Sequence, residues 1–207
     1  MADVHVPETV IGAPGAGRQL RGGSEARGWR GATEAAVVHA AQRGVHEAFA
    51  ELFRRHWPRA HRAAWLVVHD AAAAEDVAQE AFVAAVRALD RFDRRRPFAP
   101  WLHRIVVNRA IDYARARELR REVGADAWAE PAGDPAPDTA AAPSPGVLGA
   151  LAALPPEQRA VIVLRHLLDF TPSEIARALG LPRGTVNSRL RRGLDGLQDA
   201  LREEISR

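Results

Sequence analysis

The 207-residue sequence contains no cysteine, which excludes disulfide bonds, thiolate zinc sites and cysteine nucleophiles. It also lacks any uninterrupted apolar stretch near the roughly 20 residues that are needed to span a bilayer. The N-terminus has no basic segment followed by an apolar one, as a secretory signal would have. We therefore expect a soluble, cytoplasmic protein without membrane insertion.

Aromatic residues are scarce, at 6% of the chain, and runs of β-branched residues are short. Apolar residues amount to 47%, with alanine and leucine prominent, and this balance favours helices over sheets. The length leaves room for one ordinary domain or two small ones. The expected fold class is all-α, with two small helical domains joined by a flexible linker.

Lysine is absent as well, so the basic side chains other than histidine are all arginines. Eleven arginines lie between Arg87 and Arg121, whereas the segment from Glu122 to Gln158 contains no basic residue. This segregation indicates two basic surfaces separated by an acidic spacer. A merely solvated charged face is the commoner explanation of a charge run and stays open at this point.

Four segments follow one another along the chain. Residues 1–32 are rich in Gly, Pro and Arg without a helical period, which is typical of a flexible tail and equally of a mis-assigned translation start. Residues 33–121 show helical apolar periodicity and predict a bundle of roughly four helices. Residues 122–145 are an acidic, proline-rich linker. Residues 146–207 predict a second helical domain.

The first bundle contains two strongly patterned helices. The helix predicted from Ala72 to Leu89 carries an acidic cluster beside an apolar stripe, which consists of Val77, Ala81, Phe82, Val86 and Leu89. A later helix, predicted from Trp101 to about Arg120, directs four apolar residues to the core, namely Leu102, Ile105, Val106 and Ile111. Pro58 is expected to kink a helix or to start one.

The segment from Thr171 predicts a helix-turn-helix. Thr171 and Glu174 have the spacing of a capping box, Pro172 suits the first helical position, and Gly180 allows the left-handed conformation that ends a helix. Either Leu181 or Pro182 caps the second helix. Apolar residues recur along that helix at helical spacing and are expected to face the core: Val186, Leu190, Leu194, Leu197 and Leu201.

The opposite face of this second helix is polar and basic. It presents Arg183, Asn187, Ser188, Arg191 and Arg192, with Thr185 near its N-terminal edge. Guanidinium, amide and hydroxyl groups hydrogen-bond to guanine and adenine edges and anchor phosphates. The pattern predicts a helix that binds in the major groove of DNA, with an ordinary solvated amphipathic helix as the alternative.

Residues 154–197 resemble region 4 of the sigma-70 family of RNA polymerase sigma factors. The likeness rests on the LP pair near the start, the apolar helix with its arginine, and the blocks SEIA and GTVNSRL, in that order. It implies that Asn187, Ser188, Arg191 and Arg192 contact the −35 promoter element, with Arg183 and Thr185 near the DNA backbone. Many response regulators have a similar helix-turn-helix, so this half alone leaves the function open.

Residues 49–121 resemble region 2 of the same family, most specifically in the blocks AEDVAQEAF and PFAPWLHRIVVNRAIDYAR. In that family the first block packs against the β′ coiled coil of core polymerase, and the second binds and opens the −10 element. The resemblance implies contacts to polymerase by Glu75, Asp76, Gln79 and Glu80.

The second block has residues that suit strand opening. An opened duplex needs a surface for a single strand and a pocket for an unstacked base, and aromatic and cationic side chains supply both. Phe98 and Trp101 flank a loop that contains three successive arginines, and core burial is the alternative for both aromatics. The residues expected to bind the −10 element are Phe98, Trp101, Arg104, Asn108, Arg109 and Asp112. Of these, Trp101, Arg104, Asn108 and Asp112 can share one helical face.

No counterpart of regions 1.1 and 3 of the larger sigma factors is recognisable, which implies membership of the compact extracytoplasmic-function (ECF) group. The implied partners are core RNA polymerase, through its β′ coiled coil and β flap, promoter DNA, and an anti-sigma factor. No cofactor, metal or catalytic residue is expected. The linker acids either mimic nucleic-acid charge near the polymerase active site or serve only for solubility: Glu122, Asp126, Glu130, Asp134 and Asp138.

Two other classes of function compete with this interpretation. A polymerase-independent regulator would use the first bundle as a sensor or for dimerisation and would bind an operator through its helix-turn-helix. An enzyme would have to draw on the side chains of His56, His61, His69, Asp70, Asp76 and Glu80. The histidine spacing spreads these rings around a helix, and no zinc-protease, phosphate-loop or nucleophile-elbow motif is present.

Overall fold

The computed structural model describes residues 28–29, 31–122 and 144–205. Most of the predicted tail and of the predicted linker, including four of its five acidic residues, lies outside these ranges. The described residues form α-helices and one short 3₁₀ turn at Leu89–Arg91, without a strand, so the all-α class is confirmed. The helices are α1 Glu34–Gln42, α2 His46–Val68, α3 Ala71–Ala88, α4 Phe98–Glu122, α5 Pro145–Ala152, α6 Pro156–His166, α7 Pro172–Leu179 and α8 Arg183–Ile205. None of the helices in these ranges is long and apolar enough to cross a membrane.

Helix α2 is the centre of the fold, since it packs against α1, α3 and α4 and also against α6. Its second half is buried almost all round, and Ala60, Ala63 and Ala64 are fully buried. These small side chains let the neighbouring helices approach closely. Pro58 lies inside α2, so the prediction that it starts a helix is wrong. The helix continues through this exposed residue, although Pro58 has no N–H to donate.

Helix α3 begins at the N-cap Asp70, whose Oδ1 accepts a hydrogen bond of 3.0 Å from the amide of Ala73. Four residues of the predicted apolar stripe are buried, as expected: Val77, Ala81, Phe82 and Leu89. Val86 is the exception, with 48% of its surface exposed, because it lies beside Val83 on a groove between α2 and α3 and not over the core.

Helix α4 starts at Phe98, three residues before its predicted beginning at Trp101. Pro100 falls in the first turn, where a missing N–H breaks no intrahelical bond. The core residues predicted for this helix, Leu102, Val106 and Ile111, are buried, and Ile105 is half-buried.

The predicted helix-turn-helix is present. The Thr171 hydroxyl accepts a hydrogen bond of 3.3 Å from the Glu174 amide, and the Glu174 carboxylate accepts one of 2.8 Å from the Thr171 amide. Gly180 has a φ of 65° and ends α7, as expected. The residue before α8 is Pro182, and its carbonyl accepts a hydrogen bond from the Val186 amide.

Leu194 of α8 does not face the core as predicted, since 44% of its surface is exposed. A Cβ atom at the neighbouring Gly193 would lie only 2.8 Å from Cδ1 of Ile162, which places Gly193 directly against α6. The core face of α8 therefore runs through Val186, Leu190 and Gly193, which turns Leu194 aside.

The two helical units contact each other through α6 and α7 on one side and α2 and α4 on the other. Arg159 of α6 is 7% exposed, and its guanidinium donates hydrogen bonds to the carbonyls of Val67 (2.7 Å) and Leu154 (2.9 Å). Two ion pairs cross the same contact, Arg115 with Glu157 at 2.6 Å and Arg59 with Asp169 at 2.7 Å. The sequence pattern did not predict this contact.

The reciprocal capping box predicts a measurable stability effect. We expect Thr171→Ala to lower the free energy of unfolding by about 1 kcal/mol, because the Glu174 amide loses its acceptor at a helix end. Urea unfolding followed by circular dichroism measures this change. Ser173→Ala, at an exposed position in the same turn, is the matched control. Equal stability of Thr171→Ala and the unchanged protein would contradict the prediction.

Candidate nucleic-acid interface

The N-terminal half of α8 presents the side chains that were predicted to read DNA. Arg183, Asn187 and Arg191 are exposed and spaced four residues apart, so they lie along one face. The first turn of α8 contains no acidic residue, which leaves the positive end of the helix dipole available to a phosphate.

Ser188 and Arg192, which were also predicted to bind DNA, form hydrogen bonds within α8 itself. The Ser188 hydroxyl donates a hydrogen bond of 3.0 Å to the carbonyl of Thr185, and both residues are half-buried. Arg192 is exposed and donates to the Ser188 carbonyl and hydroxyl at 3.3 and 3.4 Å. These contacts fold the Arg192 guanidinium back along the helix.

The aromatic residues at the start of α4 form a cluster with Phe92. Phe98 is only 3% exposed, and its ring centroid lies 5.7 Å from that of Phe92 and 5.2 Å from that of His56. A side chain so enclosed offers no face to an unstacked base. The prediction that Phe98 binds the −10 element is therefore not supported by its position, and the alternative of a core aromatic fits.

Trp101 differs from Phe98 because it is half-buried. Its ring packs on Phe92 with centroids 4.8 Å apart and on Phe98 with centroids 5.5 Å apart. One side of the indole is thus supported by the core while part of it stays accessible. This is the arrangement that a stacking platform needs.

Three further residues of the predicted face follow Trp101 along α4. Arg104 and Asp112 are exposed, and Asn108 is half-buried. The Asn108 amide donates a hydrogen bond of 3.2 Å to the carbonyl of Ala178, in the last turn of α7. Carbonyls in the last turn of a helix lack an intrahelical donor, which makes Ala178 a ready acceptor. The helix-turn-helix unit thus covers part of this face.

Arg109 and Glu80 were assigned to different surfaces from the sequence, but they form an ion pair of 2.9 Å between α4 and α3. Both side chains are substantially exposed, so the pair contributes little to stability. It brings the predicted polymerase-binding residues and the predicted −10-binding residues onto adjoining surfaces. Arg109 and Glu80 are 29 residues apart in the chain, so a local sequence pattern could not predict this contact.

The predicted polymerase-binding residues, Glu75, Asp76, Gln79 and Glu80, are all exposed on α3. The Gln79 amide donates a hydrogen bond of 3.1 Å to the Glu75 carboxylate. Beside them, an apolar groove of about 850 Å³ lies between α2 and α3. Its walls include Phe49, Phe53, Trp57, Phe82, Val83 and Val86. Sequence reasoning missed the groove, because Phe53 and Val86 are at positions that the helical period assigns to the core.

The histidines considered for an enzyme lie in separate environments along α2. His56 approaches Glu34, His61 stacks on Trp57, and His69 packs on Trp65. Burial, aided by the nearby Arg159 charge, lowers the pKa of His69 to about 4, so this ring is neutral at physiological pH. Within the described ranges, no group of three or more acidic or histidine side chains is placed to hold a metal ion.

Comparison with known protein families gives two matches that together cover both helical units. The model for Sigma-70 region 2 matches residues 52–120, and the model for Sigma-70, region 4 matches residues 146–195. The first match begins inside α2, so α1 lies outside it.

Curated relatives support the same assignment. The ECF sigma factor SigW of Bacillus subtilis is 31% identical over 78% of this chain and 93% of its own length. SigM of Mycobacterium tuberculosis is 36% identical over 77% of this chain and 80% of its length. SigE of Mycolicibacterium smegmatis is 35% identical over 75% of this chain, which spans 62% of that relative.

Two solved structures resemble the fold. CnrH, in complex with the cytosolic domain of CnrY, has a TM-score of 0.60 at 30% identity and aligns over 82% of this chain and 97% of its own. The sigma factor RpoE of Bartonella quintana, in complex with the anti-sigma factor NepR, has a TM-score of 0.63 at 25% identity. The alignment covers 74% of this chain and 96% of the RpoE chain.

Two helical units with these matches define a sigma factor of RNA polymerase. More narrowly, the chain belongs to the sigma-70 family and to its extracytoplasmic-function group. The resemblance that the sequence motifs predicted is confirmed.

We expect Arg191→Ala to weaken binding of polymerase holoenzyme to a duplex that carries the −35 element by about 1–3 kcal/mol, because an exposed guanidinium fork is lost from the face that is predicted to read bases. Fluorescence anisotropy with a labelled duplex measures the affinity. Gln198→Ala, exposed further along the same helix, is the matched control. Unchanged affinity of Arg191→Ala would exclude a base-reading role.

Proposed function

We propose that this ECF sigma factor binds core RNA polymerase, recognises the −10 and −35 promoter elements through its two helical units, and opens the promoter for transcription. The observation that carries the proposal is the presence in one chain of three exposed surfaces that suit these tasks. They are the acidic face of α3, the polar face of α4 and the basic start of α8. The chain itself catalyses no reaction in this scheme, since RNA synthesis belongs to the polymerase.

Binding to polymerase is assigned to α3 and the groove beside it. Glu75, Asp76, Gln79 and Glu80 supply an exposed polar edge, and the apolar groove supplies surface that gains free energy when water is removed. The resemblance to region 2 implies the β′ coiled coil as the partner, and a partner surface with basic side chains and an apolar stripe would complement both features. The second unit would contact the β flap.

Opening of the −10 element is assigned to α4. Trp101 provides a supported aromatic face, and Arg104, Asn108 and Arg109 provide donors along the strand path. Asp112, exposed one turn later, accepts hydrogen bonds from base amino groups. In this scheme Phe98 does not contact DNA, because its ring is enclosed, and it supports the ring of Trp101 instead.

Recognition of the −35 element is assigned to α8. Asn187 and Arg191 face outward and supply the amide and guanidinium that read base edges. Arg183 and Thr185 at the start of the helix, with Ser188 and Arg192 beside them, suit contacts to phosphate.

The −10 and −35 elements cannot be bound at the same time while the two helical units stay in contact. The −10 and −35 elements are centred about 25 base pairs apart, which is roughly 85 Å at 3.4 Å per base pair. In this structure, however, Asn108 of the −10 face is hydrogen-bonded to Ala178 of the helix-turn-helix. The two units must therefore separate when the protein binds a promoter with polymerase.

An anti-sigma factor is the further partner that we infer. The solved structures of CnrH and of the sigma factor RpoE each contain a bound partner, which for RpoE is an anti-sigma factor. A comparable regulator of this chain would hold the two units and keep them from polymerase. Because the proposed task requires polymerase and promoter DNA, we assign the protein to the cytoplasm.

Reconstituted transcription tests the proposal directly. With core RNA polymerase and a pool of genomic fragments, the protein should direct transcripts from specific promoters, and alone it should bind the same fragments weakly and without sequence preference. Transcript sequencing and gel-shift assays measure the two properties. Tight operator binding by the protein alone, with no transcript from any fragment, would overturn the proposal in favour of a polymerase-independent regulator.

A further inference from the structure

Helix α1 lies outside the segment that matches region 2, yet it makes polar contacts with the connection between α3 and α4. That connection, residues 89–97, is called here the arginine loop, since it contains Arg94, Arg95 and Arg96. Val37, Val38, Ala40 and Ala41 of α1 are at most 2% exposed. The helix is therefore firmly seated, and its polar side chains are fixed relative to the core.

Gln42, the last residue of α1, holds the first part of the arginine loop. Its side-chain nitrogen donates hydrogen bonds to the carbonyls of Leu89 and Phe92, both at 2.9 Å. A carboxamide nitrogen has two donors, and these two bonds use both of them. The backbone on either side of the 3₁₀ turn is thereby fixed to α1.

Glu34, the first residue of α1, holds the other end of the loop. Its carboxylate accepts a hydrogen bond of 3.3 Å from the amide of Phe98, the first residue of α4. The preceding Pro97 has no side-chain acceptor, so Glu34 supplies from another helix the cap that the local sequence lacks. A carboxylate at this end of α4 is also favoured by the helix dipole.

Two further contacts surround these anchors. The second carboxylate oxygen of Glu34 lies 3.0 Å from Nε2 of His56. The Arg94 guanidinium contacts Nδ1 of His39, on the exposed side of α1. Residues from the start, middle and end of α1 thus contact the loop or the start of α4.

The two anchor points coincide with the aromatic residues that support Trp101. Gln42 holds the carbonyl of Phe92, Glu34 holds the amide of Phe98, and the indole of Trp101 packs on both rings. A shift of either backbone group would tilt the platform or move the arginines beside it.

We propose that α1 sets the geometry of the strand-opening surface, with Gln42 and Glu34 as positioning residues that act through Phe92 and Phe98 on Trp101 and the arginine loop. The inference rests on the proposed function, since it concerns how the −10 element is opened. It assigns a role to a helix that neither the family match nor the sequence motifs include.

Promoter opening, measured separately from polymerase binding, tests this role. The probe is a promoter duplex with 2-aminopurine in the −10 element, used with holoenzyme that contains the full-length chain. We expect Gln42→Leu, which removes both donors at similar volume, to slow opening about tenfold, as the loss of two hydrogen bonds would. Glu34→Gln should slow opening by a smaller factor, because the amide still accepts a hydrogen bond but lacks the charge.

Two controls separate positioning from general damage. Glu47→Gln makes the same carboxylate-to-amide change in the first turn of α2 and should open the promoter like the unchanged protein. Affinity for core polymerase, from labelled-protein titration, should change less than twofold.

The inference would be overturned if Gln42→Leu and Glu34→Gln both opened the promoter as fast as the unchanged protein. So would a parallel loss of polymerase affinity and opening, which would make α1 a purely structural element. Failure of the unchanged protein to open any promoter with core polymerase is a different result, because it would refute the proposed function itself.

Discussion

The buried guanidinium of Arg159 is the interaction on which the arrangement of the two helical units depends. It donates to the Val67 carbonyl in the last turn of α2 and to the Leu154 carbonyl before α6, so one side chain satisfies acceptors from both units. Burial lowers its pKa only to about 10, which leaves it charged at neutral pH. A buried charge costs desolvation free energy, so this contact is specific in geometry yet less stable than an apolar one of equal size. A contact of this kind suits two helical units that have to separate when the protein binds a promoter.

Helix α2 connects this contact to the rest of the molecule. Its C-terminal half meets Arg159, and its N-terminal half forms, with α3, the apolar groove beside the acidic face. Helix α4 packs on the same core and carries the face that Asn108 shares with Ala178. In the structure described here the helix-turn-helix therefore covers part of the proposed −10 surface and leaves the proposed polymerase surface on α3 open. Binding of polymerase can thus precede separation of the units.

Features that depend on neighbours in the chain could be predicted from the sequence, and features that depend on distant contacts could not. The capping box of Thr171 and Glu174, the end of α7 at Gly180 and the exposed row on α8 follow from spacings of a few residues. Helical periodicity identified the apolar stripes but not their edges, so Val86 and Leu194 were placed in the core. At Leu194 the close approach of Gly193 to Ile162 decides the orientation. Burial of Phe98 and the bonds of Arg159 and Gln42 join residues far apart in the chain, and periodicity carries no information on them.

The claim that the two units are closed in the free protein and separate on a promoter is tested most directly by a distance measurement. Because the chain has no cysteine, Ala72→Cys on α3 and Gln198→Cys on α8, both at exposed positions, allow two labels to be attached without competing sites. Double electron–electron resonance should give one short distance for the free protein and a distance longer by tens of ångströms, on the order of the spacing between the elements, in the complex with core polymerase and promoter DNA. The same short distance in a complex that is active in transcription would contradict the account.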